Sequence, residues 1–135
     1  MVYLDTDICV FALKNRFPSI QARLQTYPPN RVKIPAIVKA ELLLGAEQSR
    51  DPIAAHRVVE AFLRPFDIIP FCDRCAIVYA HIRADMERRG LSIGPNDLLI
   101  ASTVLGNQGI LVTHNTKEFG RIAQLALEDW TRADA

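Results

Sequence analysis

Four short strand-like runs recur along the chain, Val2-Tyr3-Leu4, Arg31-Val32-Lys33-Ile34-Pro35, Phe66-Asp67-Ile68-Ile69-Pro70 and Ile110-Leu111-Val112-Thr113, with helical periodicity between them. A strand covered on both faces reads as a short apolar run, and intervening helices supply the crossovers that parallel pairing requires. The pattern predicts an α/β fold of three layers: a mostly parallel central sheet of four to five strands with helices on both faces. With 135 residues, half of them hydrophobic, a single domain over residues 1–135 is expected, large enough to bury a core of its own.

The helical stretches carry their own punctuation. Thr6 or Asp7 is expected to cap a helix through Ile8, Val10, Phe11 and Leu13, closed by Lys14-Asn15-Arg16. Pro18-Ser19 opens the next, with Ile20, Leu24 and Tyr27 on one face, and Pro28-Pro29-Asn30 stops it. A third passes through Ile37, Val38, Ala40, Leu42, Leu43 and Leu44 and either closes at Gly45 or continues into the surface connection Glu47-Gln48-Ser49-Arg50-Asp51-Pro52, and a fourth covers Ala54 to Leu63. Asp73 is expected to cap a long helix with Ile77, Val78, Ala80 and Ile82 inward, Arg74, Arg83, Glu87, Arg88 and Arg89 outward, and Gly90 at its end. Pro95 suits the first position of the next helix, where its fixed φ helps and its missing N–H is not needed. Leu98, Leu99, Ile100, Ala101, Val104 and Leu105 leave that helix almost no polar face, so it should be largely buried. A short helix with Phe119 and Ile122 leads to an edge strand at Leu125-Ala126-Leu127 and to Trp130.

Composition excludes several classes of function. No apolar run approaches the ~20 residues that span a bilayer, and no basic region followed by a longer apolar segment marks the N-terminus. Three cysteines, Cys9, Cys72 and Cys75, make no disulfide framework, which suits a reducing, cytoplasmic setting with no membrane. The formal net charge of +1 gives no global attraction to nucleic acid, so such a partner would have to be held by a local patch.

Three acids stand out because each interrupts or abuts apolar sequence, where an uncompensated carboxylate is expensive: Asp5, Glu41 and Asp97. Each alone has a plain explanation, as a helix cap, a solvent-facing residue or a partner of the helix dipole. In a parallel sheet, however, the functional crevice lies beyond the carboxyl ends of the strands. Asp5 ends the first strand, Asn115 lies just past the fourth, and Asp97 heads the helix leading into the fourth. Two carboxylates ~4 Å apart repel by about 4 kcal/mol at an effective dielectric near 20, so either one is protonated or a cation neutralises the cluster. Oxygen donors with no accompanying Cys or His set favour Mg²⁺, with Mn²⁺ as a substitute. Such an ion activates water and neutralises charge on a phosphoryl group.

Tyr3-Leu4-Asp5-Thr6-Asp7-Ile8, Glu41-Leu42-Leu43-Leu44-Gly45-Ala46 and Gly94-Pro95-Asn96-Asp97-Leu98-Leu99-Ile100-Ala101 resemble the three acidic motifs of PIN-domain ribonucleases. Val112-Thr113-His114-Asn115-Thr116-Lys117-Glu118-Phe119 and Leu127-Glu128-Asp129-Trp130 resemble the VapC toxins of bacterial toxin–antitoxin pairs, in the branch that cleaves initiator tRNA. The resemblance implies Mg²⁺-dependent hydrolysis of an RNA phosphodiester, with Asp5 and Asp97 as metal ligands, Glu41 binding metal or orienting water, and Thr6 supporting Asp5. It further implies a VapB-type antitoxin, whose C-terminal helix would enter a groove near the first helices, and a homodimer. Many family members have Asn where this chain has Asp7, and many carry a fourth acid where it has Asn115. Asn115 offers an amide oxygen without charge, and Glu118 lies one turn further on as the other candidate for that place.

Lys14, Arg16, Arg83, Arg88, Arg89 and His114 are candidates to hold RNA phosphates, and such contacts weaken steeply with salt. Their plain reading is a set of solvated helix ends. Cys72-Asp73-Arg74-Cys75 has no second ligand pair for zinc and lacks the flanking pattern of a thioredoxin-like motif, which leaves two small core or cap residues. Asp5-x-Asp7 also resembles the nucleophile motif of haloacid-dehalogenase phosphatases, but Cys9 stands where Thr or Val is needed and no later Gly-Asp-x-x-x-Asp follows. A receiver domain would need an acid ending the third strand, where Asp67 instead begins it. A binding module whose acids only cap helices is the non-enzymatic alternative.

Overall fold

Val2, Tyr3 and Leu4 are almost completely shielded from solvent, and the sheet is built outward from them. The computed structural model describes residues 1–132. It gives β1 (Val2–Leu4), α1 (Thr6–Leu13), α2 (Pro18–Gln25), a single 3₁₀ turn (Pro29–Arg31), β2 (Val32–Pro35), α3 (Ala36–Glu47), α4 (Pro52–Leu63) and β3 (Asp67–Ile69). The second half adds α5 (Asp73–Arg88), α6 (Pro95–Gly106), β4 (Ile110–Val112), α7 (Thr116–Phe119) and β5 (Ala126–Glu128). The five strands lie in the order β3-β2-β1-β4-β5. Every pairing is parallel, with Val2 opposite both Val32 and Ile110.

That order fixes the layers. From β1 the chain steps to β2 and β3 on one side, then crosses back to β4 and β5 on the other. Right-handed crossovers place α1 to α4 on one face and α5 and α6 on the opposite face, so the direction of winding reverses between β1 and β4. The three-layer expectation therefore holds, with five strands and no antiparallel member among the described residues.

Helix α6 fills much of the second face. Leu98, Ile100, Ala101 and Val104 are buried as the apolar run requires, and so are Ser102 and Thr103. Their hydroxyls donate to the carbonyls of Leu98 and Leu99 four residues back, at 2.7 and 2.8 Å, so neither is left unsatisfied. At the far end of the chain, Trp130 is fully buried and stacks on Tyr27 with ring centres 5.3 Å apart. Its indole N–H donates to Glu128, which Arg23 also meets at 3.0 Å, and Ser19 donates to its carbonyl. These contacts tie the segment after β5 to α2.

Several sequence expectations are corrected. Neither Thr6 nor Asp7 caps α1: Asp5 does, accepting from the Ile8 N–H at 3.0 Å. Helix α3 runs past Gly45 to Glu47, because Ala46 still faces the core, and Leu44 on the same helix is exposed. Helix α4 begins at Pro52, two residues earlier than expected, with Asp51 accepting from the Ala54 N–H. Asp73 does not cap α5 but opens it, and Cys72 stands at the cap position without a side-chain hydrogen bond. The inward face of α5 is Cys75, Ile82 and Met86, so Ile77 and Ala80 turn outward. The edge strand lies one residue later, at 126–128.

Gly109 precedes β4 at the point where the Tyr3 ring crosses it. A Cβ there would lie 2.3 Å from Tyr3 Cε1, far inside contact distance, and a buried ring has little room to move. Gly109→Ala is expected to lower unfolding stability by about 1–3 kcal/mol, the usual cost of overpacking a core. Urea denaturation measures it, and an unchanged midpoint would contradict the packing described.

Candidate active site

The reversal of winding between β1 and β4 leaves a crevice at the carboxyl ends of these two strands, where no crossover covers the sheet. A cavity of about 240 Å³ opens there, lined by Asp5, Thr6, Asp7, Glu41, Asp97, Asn115 and Phe119. Asp5 and Thr6 follow β1, Asn115 follows β4, Glu41 projects from the middle of α3, and Asp97 sits in the first turn of α6. All three acids singled out in the sequence meet in this one cavity. A larger cavity of about 410 Å³ lies elsewhere, lined by Val78, Ile82 and Leu105 of α5 and α6 along with Arg88 and Arg89, and contains none of them.

Each carboxylate is held differently. Asp5 is 5% exposed, since capping α1 turns its carboxylate inward, where the neighbouring Thr113 hydroxyl helps to hold its charge. Burial nevertheless pushes its carboxyl up to about 7, with Asp7 and Asp97 adding repulsion that Thr113 and the Ile8 N–H only partly offset. Glu41 is fixed at both oxygens, accepting from Thr6 at Oε1 and from Asn96 Nδ2, 3.3 Å away, at Oε2. Asp97 is half-buried, and burial together with the charges of Glu118, Glu41 and Asp7 raises its carboxyl to about 6.

Asn115 and Glu118 act together. Glu118 Oε2 accepts from Asn115 Nδ2 at 2.9 Å, and Oε1 accepts from the Gly94 N–H at 3.0 Å. These bonds, the Asn115 one foremost, hold the Glu118 carboxyl below the usual range. Glu118 thus ties the segment after β4 to the start of α6, while Asn115 rather than Glu118 lines the cavity.

Two residues escaped the sequence reading. Thr113 is fully buried, accepts from the Asn115 N–H at 3.0 Å and stands beside Asp5, whose charge it favours. Its one signal is a hydroxyl closing an apolar strand. Asn96 gives no signal beside the more conspicuous Asp97, and only the fold shows its amide on Glu41.

The basic candidates lie outside the cavity. Arg83 pairs with Glu87 and the Tyr79 hydroxyl, Arg88 with Asp85 at 3.8 Å, and Arg89 with Asp85 and the Arg121 carbonyl. Lys14 is exposed at the end of α1, and Arg16 lies over the Phe11 ring. His114 does not line the cavity; its ring lies beside Phe11 and Phe17, with Nδ1 3.1 Å from Asp129.

Among the described residues, none of Asp5, Asp7, Glu41 or Asp97 has a Lys, Arg or His partner within ion-pair distance. No three acids, histidines or cysteines among the described residues stand close enough together to hold a metal ion as they are placed. The donors are hard oxygens that repel one another across a small polar cavity, with the two least solvated held toward protonation. That donor set suits a divalent cation of the Mg²⁺ type, which would remove the repulsion and draw the carboxylates together.

Comparison with known proteins agrees with this geometry. The PIN domain family model matches residues 2–125. Ribonuclease VapC2 of Rickettsia felis is 40% identical over 134 residues, covering 98% of this chain and the whole of that protein. The tRNA(fMet)-specific endonuclease VapC of Shigella flexneri is 35% identical over 128 residues, covering 95% of this chain and 96% of that one. Among solved structures, VapBC2 from Rickettsia felis bound to a DNA fragment from its promoter superposes with a TM-score of 0.90 at 39% identity, covering 96% of this chain and 99% of that one.

Proposed function

The chain belongs to the PIN-domain family, among its VapC ribonucleases, and from that premise we propose that the acidic crevice is where it hydrolyses RNA with the help of Mg²⁺. It is the ribonuclease toxin of a toxin–antitoxin pair, its partner a VapB-type antitoxin. The single observation that carries the site is the convergence of Asp5, Glu41 and Asp97, three carboxylates without a basic partner among the described residues, at the reversal of winding.

Asp5 and Asp97 would hold the cation, with Glu41 as a further ligand or as the group that orients water. When bound, Mg²⁺ or Mn²⁺ would neutralise charge developing on the phosphoryl oxygens and lower the pKa of a bound water. Glu41, held at both oxygens, keeps one orientation from which its remaining lone pairs accept a proton or a water. The Ile8 N–H holds the Asp5 carboxylate in place, and the Glu118 bridge holds Asn115 and the start of α6 in register. Phosphodiester hydrolysis of this kind depends on positioning and charge more than on covalent chemistry.

Thr6→Val should test the support given to Glu41. Losing one hydrogen bond to a charged acceptor, about 1.5 kcal/mol, should lower kcat/KM roughly tenfold. Thr6→Ser should restore most of it. Equal activity of all three proteins would remove Glu41 orientation from the mechanism.

The substrate is initiator tRNA, as the Shigella relative's name has it for that protein, and the setting is the cytoplasm, as the free cysteines suit and no described helix is long and apolar enough to cross a membrane. Lys14, Arg16, Arg83, Arg88, Arg89 and His114 remain the candidate phosphate contacts, and a homodimer over one domain of residues 1–135 is the proposed assembly. Purified protein incubated with initiator and elongator methionine tRNAs should cut the first into discrete fragments and spare the second. Equal cleavage of both would withdraw the tRNA assignment and leave the nuclease reading standing.

A further inference from the structure

Cys72 and Cys75 take no part in the acidic site, yet the fold brings them together. Cys72 stands just outside α5 on extended backbone, with φ −95° and ψ 179°, and is half-buried. Cys75, in the first turn, is fully buried. Their sulfurs lie 3.4 Å apart, whereas the third thiol, Cys9, is fully buried within α1. A disulfide bond is about 2.05 Å long, so closure asks for a movement of a little over 1 Å. Rotation of the Cys72 side chain can supply it, because the residue stands at the cap position on extended backbone, half-buried and without a side-chain cap bond, although its carbonyl accepts from the Ala76 N–H.

We propose that Cys72 and Cys75 form a redox-active dithiol that exchanges with low-molecular-weight disulfides of the glutathione class, Cys72 attacking and Cys75 resolving. The surroundings divide the labour. Cys75 Sγ is wedged against Gly106, where an added Cβ would lie 3.2 Å from it, and so holds one position. Arg74 donates to the Gly106 carbonyl and to Asn107 Oδ1, at 2.9 Å in the latter case, which fixes a guanidinium beside the pair. The backbone N–H groups of Cys75 and Arg74, together with the Cys75 thiol, hold the Cys72 thiol below its usual range, while burial pushes the Cys75 thiol up. The ring closed between positions 72 and 75 is too short to constrain the unfolded chain much, so a purely structural staple is a poor account of the pair.

In the first step the Cys72 thiolate attacks one sulfur of the external disulfide. That S–S bond breaks, one half leaves as a thiolate and takes up a proton, and a mixed disulfide remains on Cys72. Cys75 then loses its proton to solvent and attacks Cys72 Sγ, expelling the second thiolate. Two protein thiols are oxidised and one external disulfide is reduced to two thiols.

The test treats the intact chain with oxidised glutathione, quenches with acid, and determines mass and free thiols. The wild-type chain should lose the mass of two hydrogen atoms and keep one alkylatable thiol, Cys9. Cys75→Ser should retain one glutathione on Cys72, and Cys72→Ser should neither retain glutathione nor lose hydrogen. Should Cys75→Ser not fold, Cys72→Ser, at the half-buried position, carries the comparison alone. Three free thiols in the treated wild type, a stable mixed disulfide that never closes, or closure in Cys72→Ser would each overturn the proposal.

Discussion

Asp97→Asn is expected to act in opposite directions on activity and on stability, removing RNA cleavage while stabilising the cation-free protein. The Asp97 carboxyl is pushed up to about 6 by burial and by Glu118, Glu41 and Asp7, so at neutral pH and above it is ionised at a cost. An amide of the same shape removes that charge. Each pKa unit corresponds to about 1.4 kcal/mol, but solvent screens a half-buried group, and the expected gain is about 1 kcal/mol near pH 8. In a domain of this size that raises the melting midpoint by about 3–5 °C. Removing a charged cation ligand should lower cleavage on the order of 10³-fold, the equivalent of several kcal/mol of lost charge stabilisation. Thermal unfolding in EDTA and single-turnover cleavage read the two effects separately. Loss of activity together with loss of stability would mean that Asp97 serves the helix start and nothing more.

The second large effect is a stability that falls as pH rises when no divalent cation is bound. Asp5 carries most of it, its carboxyl standing at about 7 in the folded chain against an unfolded value near 3.9. A carboxyl raised on folding contributes stability that is fully present below the unfolded value and lost as pH climbs through the folded one. Asp97 titrates with the same sign over a narrower window, up to about 6. Glu118, and Asp129 with its bonds from Thr131 and His114, are lowered instead, so their contribution disappears as pH falls through the acid range. Cation-free stability should therefore peak near the bottom of the Asp5 window and drop by on the order of 2 kcal/mol toward pH 8. Mg²⁺ at a hundredfold excess over its dissociation constant should restore about 2.7 kcal/mol at pH 8. Urea denaturation across this range, with EDTA or with Mg²⁺, gives both curves. A cation-free stability that climbs from about pH 5 to about pH 8 would contradict the burial of Asp5 as an uncompensated acid.

The sheet and the three acids were legible because their signals are local. A strand covered on both faces shows itself as an apolar run, and an acid inside apolar sequence needs a reason. Failures came where several neighbours could do the same job. Asp5, Thr6 and Asp7 can each cap a helix, and only the backbone turn at the end of β1 selects Asp5. On α5 the apolar residues Ile77 and Ala80 compete in phase with Cys75, Ile82 and Met86, and packing against α6 decides for the second set. Contacts made across the fold left no trace in sequence. Thr113 beside Asp5, Asn96 on Glu41, and Glu118 reaching both Asn115 and Gly94 depend on strand order and on where α3 and α6 converge. The Cys-x-x-Cys spacing suggested no zinc site, and the placement of Cys72 outside the helix is what brings the two sulfurs within reach.

The most direct test of the central claim is cleavage of total bacterial RNA by the purified, antitoxin-free protein, run with Mg²⁺, with EDTA, and with Asp97→Asn in Mg²⁺. A discrete product formed by the wild type in Mg²⁺ and absent from the other two reactions is the expected result. Undiminished cleavage in EDTA or by a folded Asp97→Asn protein would contradict it, because the cutting would then owe nothing to a cation held by the acidic crevice.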